Sequence, residues 1–403
     1  MSGRGEASDR KVPTLPRFYA SPFFVPAWGW GELRATARCL ATGRIVRGGE
    51  PARLAREVQA LLGVRHAVPV NQGRVAILLA LRALGTGEQD EVVLPSYLCR
   101  SVLDAVRAAG ARPVLADAGA GLHVTAESVR RALTPATRCV IVPHLYGNVA
   151  PVDAIENELR GTGIALIDDA AQSFGARCGG RRVGSFGRCG IVSTSLGKSL
   201  SGAAGGLLVT DDAGLFERAI ALRLGVERPG TVARRALAAW VWFRLRRFTL
   251  PLKRRSDRLF SRNQASRTTA GAMSNLDAAI ALQQCRSLEH RASSRRHRAR
   301  RVLDALGDAR RHCISDLSDS CVPLGLVFLL PPAARPAEEA TLQLARAGIE
   351  VRRGYAPLHH ELGIPPGAFP NAEALWRRAI LVPLSRTLEA RGASNALRDV
   401  LRD

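Results

Sequence analysis

An apolar run, Gly163-Ile164-Ala165-Leu166-Ile167, ends in two carboxylates, Asp168 and Asp169, and continues as Ala170-Ala171-Gln172. About thirty residues later, the span of one strand-loop-strand unit, Lys198 stands among Ser193, Thr194, Ser195, Gly197, Ser199, Ser201 and Gly202. A lysine in a small, hydroxyl-rich stretch is conspicuous in a chain so rich in arginine. Pyridoxal phosphate (PLP) chemistry needs this pair of groups. A carboxylate keeps the pyridine nitrogen protonated so that the ring can take up electrons, and a lysine forms the Schiff base. Burial beside a cationic cofactor would lower the lysine pKa toward use as nucleophile and base. Taken singly, each group has an ordinary structural reading, as a solvated strand end, a helix cap or an exposed loop lysine.

Other stretches could serve the same chemistry. Asn71-Gln72-Gly73-Arg74 lies between a strand and a helix, where backbone N–H groups cradle phosphate and glycine permits close approach. Ser193 could donate to a phosphate, and Gln172 to a cofactor oxygen. His144-Leu145-Tyr146-Gly147 follows another apolar strand, and Tyr355-Ala356-Pro357-Leu358-His359 sits in the C-terminal part.

The elements that position these residues alternate. Two helices joined by a turn at Arg47-Gly48-Gly49-Glu50 span Trp30 to about Leu62. Strands are expected at 67–70, 91–95, 113–117, 139–143, 163–169 and 205–210, with helices between several of them. Near-continuous apolar strands alternating with helices predict a mostly parallel sheet covered on both faces. Asp168, Asp169 and His144 then lie at its carboxyl edge, where such sheets hold ligands. Beyond about Met273 a long helix, Leu276 to roughly Leu306, leads to a smaller α/β unit with strands at 325–330 and 349–351. The expected organisation is an N-terminal arm and helix (1–50), a large cofactor-binding domain (51–230), a basic aromatic insertion (231–268) and a small C-terminal domain (269–403).

Composition sets limits on the rest. The 403 residues suffice for two or three domains, and 46% hydrophobic and 23% charged residues are ordinary for a globular protein. The net charge of +23 is not. It suits phosphates, nucleic acid or an anionic membrane face, though an arginine-rich genome gives the same balance. The eight cysteines are scattered without C-x-x-C or clustered His/Cys spacing, so neither a metal site nor a disulfide framework is expected. They read as reduced thiols of a cytoplasmic protein. Phe23-Phe24-Val25 is too short and proline-flanked for a signal peptide, and no apolar run is long enough to span a membrane.

The ordered motifs resemble the DegT/StrS family of PLP-dependent sugar aminotransferases, of the aspartate-aminotransferase-like fold type I, over Gly43 to Leu384. The matches are Gln72-Gly73-Arg74 for the phosphate turn, Gln89 through Pro95 for G-D-E-V-I-x-P, and Pro143 through Gly147 for V-H-L-Y-G. They continue with Asp168 through Gln172 for E-D-A-A-[QH], Ser193 through Lys198 for S-F-x-x-x-K, Ala204-Gly205-Gly206 for E-G-G, and Tyr355 through His359 for Y-x-P-L-H. The resemblance implies that Lys198 carries the cofactor and shuttles the proton, and that Asp169 pairs with the pyridinium. It implies further that Gln172 contacts the ring oxygen and that Ser193 with the Gly73-Arg74 backbone binds the phosphate. His144, Tyr355 and His359 are candidate substrate contacts. A donor, usually glutamate, would load the amino group for a keto-sugar, often nucleotide-linked, in polysaccharide or secondary-metabolite biosynthesis. A homodimer with active sites at the subunit interface is expected.

Two departures stand out. Cys99 takes the place of an aromatic residue that many relatives set over the cofactor ring. Ala270-Gly271-Ala272 replaces an N-x-R element whose asparagine reaches the partner subunit's phosphate. These departures keep open a degenerate, non-catalytic member acting as a regulatory or membrane-associated interaction protein, or a different PLP reaction on the same fold. Retention of Lys198 argues against the lysine-less dehydratase variants.

Residues 234–262 interleave arginines with Trp240, Trp242, Phe243, Phe248 and Phe260. They suit peripheral contact with an anionic membrane face, or equally a basic surface helix packing through its aromatics. No recognised nucleic-acid module accompanies them, so nucleic acid is not an expected partner.

Overall fold

The structure is a computed structural model that describes residues 23, 28–222, 225–241, 270–332, 336–385, 388 and 391–402. Its larger unit is a seven-stranded sheet of order β1-β9-β8-β5-β4-β2-β3. The strands are β1 (His66–Val70), β2 (Glu91–Pro95), β3 (Arg112–Ala116), β4 (Thr137–Pro143), β5 (Ala165–Asp169), β8 (Cys189–Ser193) and β9 (Gly206–Thr210). A two-stranded hairpin, β6 (Arg177–Cys178) and β7 (Arg181–Arg182), lies apart from it. Strand β9 runs antiparallel to both of its neighbours, β1 and β8. Strands β3, β2, β4, β5 and β8 pair in parallel, as the apolar runs predict. Strands β8 and β9 are buried at every residue, which explains why they read as unbroken apolar or small runs rather than alternating ones.

Helices cover the sheet. They are α2 (Glu50–Leu62), α3 (Gly73–Ala83), α4 (Arg100–Ala108), α5 (Ala126–Ala132), α6 (Val152–Glu158) and α7 (Ala213–Ala221), while α1 (Trp30–Ala41) packs on the helix that begins at Asn275. Helix α3 is apolar nearly all round and almost wholly buried, because it packs on the sheet through one side and against α4 and α7 through others. It projects its N-terminus toward the carboxyl edge of the sheet.

The helix expected from Leu276 to Leu306 is two helices, α9 (Asn275–Arg286) and α10 (Leu288–Leu306). The break is at Ser287, whose hydroxyl donates to the Gln283 and Gln284 carbonyls and competes with the backbone ladder. It lets the two halves serve different cores. Ala278 and Leu282 of α9 pack with Leu54 and Val58 of α2, while Ala299, Val302 and Leu306 of α10 pack on the second sheet.

That second sheet is antiparallel, in the order β10-β12-β11. Its strands are β10 (Leu326–Leu329), β11 (Arg352–Arg353) and β12 (Ala379–Val382). With α11 (Ala337–Arg346), α12 (Leu358–Leu362), α13 (Pro370–Arg378) and α14 (Arg391–Val400) it forms the smaller α/β unit. The strand expected at 349–351 pairs instead at Arg352–Arg353. Ile349 and Val351 are drawn into the core, and buried Glu350 accepts the Phe23 N–H at 2.7 Å.

Residues 229–241 are helical (α8). Val232, Ala236 and Ala239 are buried, and Trp240 packs edge-on against Trp28. This part of the basic aromatic segment therefore packs through one apolar face, while Leu237 and Val241 stay exposed. The remainder, 242–262, lies outside the described residues. Among the described residues no helix is long and apolar enough to cross a membrane.

Candidate active site

Asp168 and Asp169 leave the end of β5 on opposite sides, because successive side chains of a strand alternate. Asp168 is wholly buried. Its Oδ2 accepts the N–H groups of Gly184 (2.5 Å) and Phe186 (3.0 Å), and its Oδ1 accepts from His144 Nε2 at 2.7 Å. Asp169 faces a cavity of about 440 Å³. Among the described residues its side chain accepts one hydrogen bond, from the Ala171 N–H to Oδ1 at 3.0 Å. Burial raises its pKa, against the opposing pull of that N–H and of the Lys198 charge.

Lys198 reaches the same cavity from the loop after β8. The loop is closed by Thr194, whose N–H donates to Gly205 O and whose hydroxyl donates to Ala204 O. The Lys198 carbonyl accepts from Arg295 of α10. Burial lowers the Lys198 pKa and the Arg352 charge pushes the same way, while Cys99 and Asp169 oppose them. A buried carboxylate and a buried amine therefore face each other, both held away from their ordinary ionisation.

The opposite wall is the turn before α3. A Cβ on Gly73 would lie 3.0 Å from Ser193 Cβ and Oγ, so only glycine lets the turn approach the end of β8 this closely. The first N–H groups of an eleven-residue helix thereby converge with the Ser193 hydroxyl, the arrangement that suits a phosphate. Arg74 Nε donates to Gln72 Oε1 beside them. Cys99, at the N-cap of α4, lines the cavity as well, its Sγ 3.1 Å from Ser101 Oγ. Gln172 is buried in the wall, with Oε1 accepting the Tyr146 N–H at 3.2 Å.

Gly73, Arg74, Cys99, Asp169, Gln172, Ser193 and Lys198 thus share one cavity, as the sequence leads one to expect. The donor set fits PLP: a carboxylate for the ring nitrogen, an amine for the aldehyde, an amide for the ring oxygen and a helix N-terminus with a hydroxyl for the phosphate.

The expected substrate contacts fall elsewhere. His144 is wholly buried; its Nδ1 accepts the Ala150 N–H at 2.9 Å, so the Nε2–H donates to Asp168. His359 is also wholly buried, with Nδ1 2.7 Å from Ser96 Oγ and Nε2 3.1 Å from Glu373 Oε1. With both ring nitrogens engaged, these histidines brace the frame and do not line the cavity. Tyr355 does not line the cavity either, but it stands behind the wall in hydrogen-bond contact with the Gln172 side chain. Its ring stacks on Tyr146 at 5.5 Å between centroids and meets Tyr97 edge-on at 6.0 Å. Burial raises the pKa of all three phenols, that of Tyr97 to about 12.

A further cavity residue, Arg235 of α8, was not singled out by its spacing. It makes a two-pronged ion pair with Glu227, at 3.1 and 3.0 Å, and another with buried Asp277. Ala270-Gly271-Ala272 runs beside the phosphate turn: Gly271 O accepts the Asn71 N–H at 2.8 Å and Ala272 bridges to Val70. His359, His360 and Glu373 bring ligand atoms within 4.8 Å of one another, a grouping the scattered sequence positions do not reveal. Hydrogen bonds from both histidines to Glu373 already account for it.

The model of the DegT/DnrJ/EryC1/StrS aminotransferase family matches residues 30–395. The chain is similar to DesV of S. venezuelae, solved in complex with a ketimine intermediate, at 28% identity and TM-score 0.72, over 92% of this chain and 94% of that one. It is similar to the aminotransferase TlmJ of Streptoalloteichus hindustanus at 25% identity and TM-score 0.73, over 96% and 99%. The E. coli GDP-4-keto-6-deoxy-D-mannose-3-dehydratase with bound hydrated PLP shares the fold, at 20% identity and TM-score 0.75, over 96% and 100%.

Proposed function

The chain belongs to the DegT/DnrJ/EryC1/StrS aminotransferase family, whose members depend on PLP, and on that premise we propose that it moves the amino group of glutamate to a keto-sugar, often nucleotide-linked. The single observation that carries this reading is the convergence of Lys198, Asp169, Gln172, Ser193 and the Gly73-Arg74 turn on one cavity. When bound, PLP supplies an electron sink that stabilises negative charge at the substrate carbon.

The chain's residues do the rest. Asp169 keeps the proton on the ring nitrogen, relieving the cost of its own buried charge. Lys198 Nζ would hold the cofactor and then carry the proton between the substrate carbon and the cofactor's C4′; its lowered pKa supplies neutral amine nearer neutral pH. The N-terminus of α3 and Ser193 anchor the phosphate, Gln172 orients the ring, and Tyr355 supports Gln172 from behind the wall. Cys99 leaves one face of the ring without an aromatic cover.

As part of the same proposal the enzyme acts as a homodimer in the cytoplasm, for polysaccharide or secondary-metabolite biosynthesis. Exposed Trp30, Leu33 and Leu40 on α1 and Leu237 and Val241 on α8 support a covered face there. Peripheral membrane contact through 234–262 rests on its arginines and aromatics. Vesicle flotation of the full chain and of a form lacking 242–262 tests that contact; equal flotation removes it.

The reaction divides into two half-reactions, which gives the test. PLP-loaded protein mixed with L-glutamate should release 2-oxoglutarate in an amount equal to the sites present. A keto-sugar nucleotide added next should be aminated and restore the starting absorbance. Absence of the first half-reaction with any α-amino acid would overturn the proposal.

A further inference from the structure

Tyr146 has φ +57°, and among the described residues no other non-glycine residue has a positive φ. Such strain persists where the surroundings over-determine it. Here the Tyr146 ring is stacked on Tyr355 with 12° between the planes, and its hydroxyl lies 3.2 Å from that of Tyr97. The surrounding loop is fastened on the cavity side. His144 N–H donates to Asp169 O, and the Ser173 hydroxyl donates to the carbonyls of His144 and Asn148. On its other side Leu324 N–H donates to Tyr146 O at 3.0 Å and Val322 N–H to Gly147 O at 3.1 Å. The contact with Val322 is so close that a Cβ on Gly147 would lie 2.1 Å from its carbonyl oxygen.

In this conformation the Tyr146 N–H reaches Gln172 Oε1. An N–H donor must meet the oxygen of an amide, so this bond turns the NH₂ end of Gln172 toward the Tyr355 hydroxyl, which takes one of its hydrogens, and toward the cavity, which is left the other. The Gln172 carbonyl is itself held by the hydroxyl of Ser199, the neighbour of Lys198, at 3.2 Å.

We propose that Tyr146 is a positioning residue. Its strained peptide aims the Gln172 amide so that a donor hydrogen faces the cofactor's ring oxygen, and its carbonyl ties that setting to the segment leading into β10. The proposal rests on the reading of the cavity as a PLP site.

The test compares wild type, Tyr146→Ala, Tyr146→Asn, Gln172→Ala and the Tyr146→Ala/Gln172→Ala double variant. PLP affinity and the pH at which the bound cofactor's absorption band changes are recorded for each. Alanine removes the ring that holds the peptide and lets φ relax, whereas asparagine tolerates positive φ by itself. Tyr146→Ala should move the spectral transition by about half a pH unit or more and weaken PLP about threefold, the scale of one altered hydrogen bond. Tyr146→Asn should remain near wild type on both measures. The alanine effect should vanish in the Gln172→Ala background. Equal shifts for alanine and asparagine, or additive effects in the double variant, would overturn the proposal. If Tyr146→Ala does not fold, Leu324→Pro, which deletes the N–H held by Tyr146 O, carries the same expectation. A wild type that binds no PLP would instead sink the reading of the cavity itself.

Discussion

His144 Nε2 donates to Asp168 Oδ1 at 2.7 Å, with both side chains out of contact with solvent. The Ala150 N–H on Nδ1 fixes the ring as the neutral tautomer, so the bond has one direction. Two adjacent carboxylates at the end of one strand thereby take different work. Asp168 ties β5 to the loop after β4 and to the 184–186 turn, and Asp169 faces Lys198. His144→Ala should lower unfolding free energy by about 1–3 kcal/mol, the cost of a lost buried hydrogen bond, and leave kcat of the folded enzyme within about threefold. Urea titration and steady-state assays check this. A collapse of kcat with unchanged stability would return His144 to the reacting groups.

Asp169→Asn should separate stability from activity. Burial raises the Asp169 pKa, so the folded carboxyl holds its proton more tightly than the unfolded one. The stability this confers is present at low pH and lost as pH rises through the raised value, above which a buried charge is carried at a cost. In that upper range apo Asp169→Asn should melt no lower than wild type, while its kcat falls about 10²-fold or more for want of a charge on the ring nitrogen. Melting curves of apoprotein over pH and single-turnover rates decide. A clear loss of apo stability above that range would count against the assignment.

Lys198 gives a pH dependence of the opposite sign. Burial disfavours its ammonium form, so neutral amine is available below the pH at which a free lysine loses its proton. The rate of PLP uptake by apoprotein should rise with pH through a midpoint below about 10.4, the value for an unperturbed lysine. Stopped-flow absorbance over pH measures it; a midpoint at or above that value contradicts the buried setting.

Cys99→Phe should tighten PLP by about twofold to tenfold, the range expected for one aromatic stack. Competition against a PLP trap gives the affinity. Weaker binding would show that the thiol side of the cavity has no room for a ring and that its occupant differs from the one proposed.

Much of this was legible in the sequence, for local reasons. Asp168-Asp169 after an apolar strand, Lys198 among small hydroxyl residues and Gly73 between strand and helix each carry their signal within a few residues, and the parallel sheet then brings them together. What was not legible depends on pairing across the chain. Arg235 looked like one more surface arginine, because its partners Glu227 and Asp277 lie 8 and 42 residues away. His144, at the sheet edge, and His359, in the C-terminal part, are candidate substrate contacts by sequence; nothing local shows that Ala150, Asp168, Ser96 and Glu373 occupy their nitrogens. The break at Ser287 was hidden for another reason, since serine is tolerated within helices and its hydroxyl decides only in context.

The central claim is that Lys198 holds the cofactor in this cavity. Borohydride reduction of the PLP-loaded protein, digestion and mass measurement of the Lys198 peptide test it directly. The expected result is a phosphopyridoxyl group on Lys198 in the wild type and none in Lys198→Ala. A label on another lysine, or none in protein that has bound PLP, would contradict it.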